Sequence, residues 1–151
     1  MKEFSSVNEI LDFAMDAEQE AYEFYSKLAS ESNSAIMSSV FEQFAKEEKG
    51  HKAKIAHIKE TGTYNLAIEK VTDLKIADYS VEVDPKPNMS YQEALIVAMK
   101  KEKAAFKLYM DLSEKAPNAD LKNLFLLLAQ EEAKHKLRFE IEYDENVFKE
   151  N

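Results

Sequence analysis

The sequence predicts an all-α fold, a bundle of four helices made from two antiparallel hairpins joined by a long crossover. Three observations predict it. First, the chain repeats itself at an offset of 84 residues: Ala14-Met15 returns as Ala98-Met99, Ala21 as Ala105, Tyr25 as Tyr109, Leu28 as Leu112 and Phe41 as Phe125. A repeat at fixed offset defines the architecture before any single residue does. Second, apolar residues recur at intervals of three and four, the period of one face of an α-helix. Third, only two Gly and three Pro occur in 151 residues, which leaves little material for turns.

Helix α-patterns and their punctuation run through the chain in order. Ser6-Val7-Asn8-Glu9 places a Ser three residues before a Glu, the pattern of a capping box at a helix start. From there Leu11, Ala14, Glu18, Ala21, Tyr25 and Leu28 form one stripe, and Glu31-Ser32-Asn33-Ser34 marks its end. A second helix carries Met37, Val40, Phe41, Phe44, Glu48, His51, Ile55 and Ile58, with Gly62 as its stop. Hairpin 1 therefore spans about residues 6–61. The crossover spans about 62–89, with a short helix expected near Ile68 to Ile76, an alternating piece at Tyr79-Ser80-Val81-Glu82-Val83, and Asp84-Pro85-Lys86-Pro87-Asn88 as a breaker. Hairpin 2, about 90–145, opens on a second capping box, Ser90-Tyr91-Gln92-Glu93. It turns at Pro117-Asn118 and continues with Leu121, Leu124, Phe125, Leu128, Glu132, His135 and Phe139, fading near Asp144. All of 1–151 reads as one domain, a length sufficient to close a core.

Composition narrows the function. Apolar residues are 45% and charged residues 32%, ordinary for a globular chain. The net charge of −9 and the lack of a basic block argue against nucleic acid as a partner. Zero cysteines exclude disulfides, thiolate metal sites and iron–sulfur clusters. The N-terminus lacks the apolar core of a signal peptide and no apolar run reaches membrane-spanning length, so the expectation is a cytoplasmic protein with no membrane partner.

The repeat also carries chemistry. Glu18, Glu48 and His51 return as Glu102, Glu132 and His135. On a helix, positions i and i+3 stand side by side, so Glu48 with His51, and Glu132 with His135, can each aim at one ion. Glu18 and Glu102 sit mid-helix on otherwise apolar faces. Burying four carboxylates without cations would be prohibitive. Four negative charges match two divalent metals, and a ligand set of oxygen and nitrogen without sulfur suits iron, manganese or zinc. A Glu from each of two helices with Glu-x-x-His from each of the other two is the ligand pattern of dinuclear carboxylate bundles.

Other residues have plainer readings. Tyr25 and Tyr109 lie seven residues after a ligand Glu; each is either a core aromatic or a hydroxyl that hydrogen-bonds to and orients a ligand carboxylate. Tyr22, replaced by Phe106 in the repeat, reads as core. Glu47 and Glu131 point about 100° away from their neighbouring ligands and read as solvated or paired with Lys, and Glu20 and Glu23 face away likewise. His57, where the repeat has Ile141, reads as a surface histidine.

The motifs Glu18-x6-Tyr25, Glu48-Lys49-Gly50-His51, Glu102-x6-Tyr109 and Glu132-Ala133-Lys134-His135 make the chain similar to the ferritin-like superfamily, and within it to rubrerythrin-like proteins. The resemblance covers about Ser6 to Glu142 outside the crossover. It implies that Glu48 and Glu132 bridge two iron ions, that Glu18 and Glu102 are terminal ligands, and that His51 and His135 each complete one metal. It further implies reduction of hydrogen peroxide, or of oxygen, with electrons from an external donor such as a rubredoxin, a ferredoxin or a reductase. A homodimer is expected, with hairpin exchange between subunits as one way to build it. Two features depart from the family: no Cys-based rubredoxin module is present, and Ala104 and Ala105 stand where many members carry an extra Glu. The alternatives are a ferritin-like ferroxidase or iron store, and a di-manganese catalase-like enzyme.

Overall fold

The computed structural model describes residues 4–64, 74–81 and 89–147. Four long helices carry it: α1 (Val7–Glu31), α2 (Ala35–Thr61), α3 (Tyr91–Glu114) and α4 (Ala119–Val147). They form two compact units, one built on α1 and α2 and the other on the chain from Leu74 onward. The predicted pair of helical hairpins is thus present.

The termini of the helices follow from their side chains. Ser34 Oγ accepts from Met37 N–H at 3.2 Å to start α2, and Asn118 Oδ1 accepts from Leu121 N–H at 2.9 Å in the first turn of α4. Gly62 closes α2 with φ 65°, a left-handed conformation that costs any residue with a Cβ. The two predicted capping boxes differ. Ser90 and Glu93 complete theirs, each side chain accepting from the other's backbone N–H. At α1 only the forward half forms: Ser6 Oγ accepts from Glu9 N–H, while the Glu9 carboxylate accepts from Ser5 Oγ instead. The hydroxyl one residue earlier competes with the backbone N–H and wins.

Each hairpin is held by polar and apolar contacts along its length. In the first, Lys59 near the end of α2 pairs with Asp12 near the start of α1, and Ser38 Oγ donates to the Ala29 carbonyl at 2.7 Å. Between them lies an apolar seam of Ile10, Leu11, Ala14, Tyr25, Phe41, Ala45 and Ile55, all buried. The second hairpin has the matching seam in Leu95, Ala98, Tyr109, Leu112, Phe125, Leu128 and Phe139. Helix α4 runs on past Asp144, where the sequence pattern fades, to Val147, and Asn146 Nδ2 donates to the Glu142 carbonyl at 3.0 Å in this last stretch.

Residues 68–73 of the expected crossover helix lie outside the described residues, as do Glu82, Val83 and the Pro-rich breaker at 84–88. The described part of the crossover holds a single 3-10 turn, Ile76–Asp78. Tyr79 closes that turn, and it acts as an anchor. Its ring is buried, its hydroxyl donates to Asp111 Oδ2 at 2.7 Å, and Lys107 Nζ lies 5.1 Å from the ring centroid. A buried aromatic with a polar tip needs such a partner, and it fixes this part of the crossover onto α3.

One polar contact in hairpin 2 makes stability depend on pH. Burial, then the hydrogen bond from its hydroxyl to Glu142 at 3.0 Å and that carboxylate's charge, raise the Tyr91 phenol above its ordinary value of about 10, with Arg138 opposing. A folded-state pKa above the unfolded one means that this stabilisation is fully present below about pH 10 and is lost as pH climbs beyond it. Tyr91→Phe should therefore lose stability less steeply than the unmodified protein in urea titrations between about pH 9 and 11, the range around the phenol's ordinary value. Superimposable alkaline profiles would contradict this assignment.

Candidate metal centre

Glu18 stands in the middle of α1, with Ala14 and Ala21 on its own face one turn to either side. These small neighbours leave space beside the carboxylate that a Leu would fill. On α2 the i, i+3 spacing sets Glu48 and His51 on the same stripe as Phe41, Ala45 and Ile55. The helical period thus turns all three side chains inward. Their exposures are 2%, 1% and 2%, values reached by few carboxylates in any protein.

Within hairpin 1 these residues converge. His51 Nδ1 lies 3.5 Å from Glu18 Oε1 and 3.9 Å from Glu48 Oε2, and one ligand atom of each lies within 4.8 Å of the others. Hairpin 2 reproduces the arrangement from α3 and α4. Glu102, Glu132 and His135 are 1%, 1% and 2% exposed, and His135 Nδ1 lies 3.5 Å from Glu102 Oε1. The same imidazole nitrogen faces the same carboxylate at the same distance in both halves. Sequence repetition has become geometric repetition.

Those gaps are informative. At 3.5 and 3.9 Å, N and O are beyond the usual hydrogen-bond range of about 2.7–3.2 Å. They are close enough for one ion, at roughly 2.0–2.2 Å from each donor, to touch both. Two carboxylates and one imidazole per triad form a hard-to-borderline donor set that suits iron, manganese or zinc and lacks the thiolate that would select otherwise. The residues present therefore fit a metal. Each triad carries two carboxylates at almost complete burial, and cations are the natural compensation.

The six residues expected as ligands are all buried, three in each hairpin. Tyr25 and Tyr109, the candidate orienting residues, are buried at 0% and 1% exposure; Tyr109 stacks on Phe125 with centroids 6.1 Å apart. Tyr22, expected in the core, is half-buried, and Lys49 Nζ lies 5.5 Å from its ring centroid. The shift outward has a simple cause: Tyr22 lies four residues after Glu18, at the border of the stripe, where a cation can reach its ring. Glu47 and Glu131 are half-buried, Glu20 is exposed and Glu23 and His57 lie on the outer side of their helices.

One buried acid has no place in the sequence pattern. Glu142, 7% exposed, accepts from Tyr91 Oη and from Asn146 Nδ2. It lies seven residues beyond His135 on the same stripe, and that spacing is the one signal that points to it. Ile58 stands at the equivalent place in hairpin 1, so this acid is outside the repeat. Its two donors account for its burial without a metal.

Among the described residues, no helix is long and apolar enough to cross a membrane. The chain has the fold of a Thermotoga maritima protein, provisionally described as a ferritin-like diiron-carboxylate protein, with a TM-score of 0.79 and 21% identity. That match covers 97% of this chain and all of the other. No curated protein matches it. The family model described as Rubrerythrin matches residues 9–90 and 93–150, which take in both triads and nearly the whole length. The chain belongs to the rubrerythrin family.

Proposed function

We propose that this protein is a di-iron oxidoreductase that reduces hydrogen peroxide to water, and that an external donor returns the electrons. The observation that carries the reading is the duplicated Glu/Glu/His triad, buried to 1–2% exposure in each hairpin. Family membership supports iron over the other metals that the donor set accepts.

Six residues would hold two irons per chain: Glu18, Glu48 and His51, with Glu102, Glu132 and His135. Bound ferrous iron supplies two electrons, one from each ion, and peroxide reduction consumes these with two protons to release two waters. The remaining work belongs to the chain. The carboxylates neutralise the cations, and helices α1 to α4 fix the donor atoms against rotation and keep bulk water from them. Tyr25 and Tyr109, buried and seven residues from Glu18 and Glu102, are the proposed groups that orient those carboxylates. A one-electron protein donor or a reductase would supply the two electrons that return the site to its reduced form.

An anaerobic Fe(II) titration followed by one equivalent of peroxide tests this. Uptake of two irons per chain, with ferric absorption in the near ultraviolet growing faster with peroxide than with oxygen, is the expected result. Faster reaction with oxygen would replace the reading by a ferroxidase. Oxygen release from peroxide by a manganese-loaded protein would replace it by a catalase-like activity. Failure to take up stoichiometric metal would remove the proposal altogether.

A further inference from the structure

The 84-residue repeat lets hairpin 1 show what belongs at each place in hairpin 2. On the outer side of hairpin 1, Lys52 Nζ donates to Gln19 Oε1 at 2.9 Å, a bridge from α2 to α1. Beside it Lys49 Nζ lies 5.5 Å from the centroid of the Tyr22 ring. The chain's own side chains close this place. In hairpin 2 the same four positions are Lys136, Lys103, Ala133 and Phe106. Two ammonium groups now stand where a donor met an acceptor, so the bridge cannot form. Lys136 instead pairs with Glu140 on its own helix, where hairpin 1 has Ala56. Among the described residues Lys103 has no ion-pair partner, and the Phe106 ring carries neither a cation nor a second ring. A groove of about 320 Å³ lies between α3 and α4 here, lined by these residues and by Leu137.

We propose that this groove binds a planar aromatic anion of the flavin mononucleotide class, its ring on Phe106 and its phosphate at Lys103. The anion is the acceptor that hairpin 1 has at this place and hairpin 2 lacks. A phosphate on an ammonium group makes the stronger, charge-assisted kind of hydrogen bond. The ring takes the part that Lys49 plays on Tyr22, and Ala133 leaves the space that a Lys there would fill. Phe106 at 37% and Leu137 at 57% exposure supply an apolar wall that water otherwise covers. The volume is at the lower end of small-molecule sites, roughly 300–1,000 Å³, so a ring system fits and its tail stays at the surface. Glu140 opposes an anion, and its pairing with Lys136 offsets that opposition. Lys103, Ala133 and Lys136 each follow a member of the second triad: Glu102, Glu132 and His135. A ligand in the groove therefore lies against the outer side of the stretches whose inner side holds the triad. The reduced flavin gives up two electrons and two protons; each of two ferric ions takes one electron, and the protons pass to solvent. This electron-delivering role rests on the function proposed above, whereas the binding does not.

Fluorescence anisotropy of flavin mononucleotide with the metal-free full chain tests the binding. It should bind saturably, and tighter than riboflavin, which lacks the phosphate, by about 10-fold or more, the size of one charge-assisted hydrogen bond. Inorganic phosphate, which lacks the ring, should compete only weakly. Lys103→Gln and Ala133→Lys give hairpin 2 the residues of hairpin 1. Each should weaken binding by a similar factor, with unchanged helicity by circular dichroism. Glu140→Gln should tighten it, and Lys134→Gln, on the exposed side of α4 outside the groove, should leave it unchanged. Equal affinity for flavin mononucleotide and riboflavin, or a Kd weaker than about 1 mM, overturns the proposal without any variant having to fold. So does binding that survives both groove substitutions. In the oxidised, iron-loaded protein, reduced flavin mononucleotide should bleach the ferric absorption faster than it does in Lys103→Gln, and equal rates overturn the electron-delivering role. Failure to take up iron removes the proposed function and leaves the binding result standing.

Discussion

Glu48→Gln is expected to separate metal binding from folding. The side chain is 1% exposed and shares a space of 4.8 Å with Glu18 and His51. Gln keeps the shape but removes the charge and one strong donor atom. Iron affinity should fall by more than about 100-fold, since even groups that only orient a ligand cost roughly 10–100-fold when removed. The metal-free protein should not be destabilised, because one of two crowded buried carboxylates has been neutralised. Calorimetry with and without Fe(II) under anaerobic conditions reads both effects. At a free iron concentration of about 100 times Kd each bound ion adds about 2.7 kcal/mol to the stability of the unmodified protein. For a domain of this size that raises Tm by roughly 5–10 °C. The variant should show no such rise. An equal rise in the variant would remove Glu48 from the ligand set.

The second large effect is in the packing that holds the ligands still. Phe125 is fully buried on α4, seven residues before Glu132, and stacks on Tyr109 of α3 at 29° between planes. Phe125→Ala leaves a void that long, well-packed helices cannot collapse to fill, and should cost about 3–5 kcal/mol. Against a total stability of roughly 5–15 kcal/mol, that removes a large fraction. Leu137→Ala, at 57% exposure, is the control and should change stability by about 0.5 kcal/mol or less. Urea denaturation of the two variants decides it: a Phe125→Ala loss below about 1 kcal/mol would mean that the aromatic stack is not a structural element.

Much of this protein is written in periods. The three-and-four spacing of Leu11, Ala14, Glu18, Ala21 and Tyr25 sets both where α1 lies and which way Glu18 points, because helix geometry leaves one direction for each position. The offset of 84 residues does the same for function, since a ligand set that occurs twice is hard to produce by chance. Ser34, Gly62 and Asn118 mark ends because their caps are local. Contacts set by distance in space are not legible in this way. Nothing in the sequence pairs Tyr91 with Glu142, or Tyr79 with Asp111, and nothing decides that Glu9 bonds Ser5 rather than the Ser6 backbone. Tyr22 reads as a core residue from its counterpart Phe106 in the repeat, which does not give the width of the buried stripe.

The sequence by itself determined the helices, the two hairpins and the six candidate ligands, since each depends on spacing along one chain. Tertiary structure alone decided how completely those ligands are withdrawn from water. It also decided that one imidazole nitrogen faces one carboxylate at 3.5 Å in both halves. The reason is physical: spacing fixes the face of a helix, whereas burial and distance depend on the second helix packed against it.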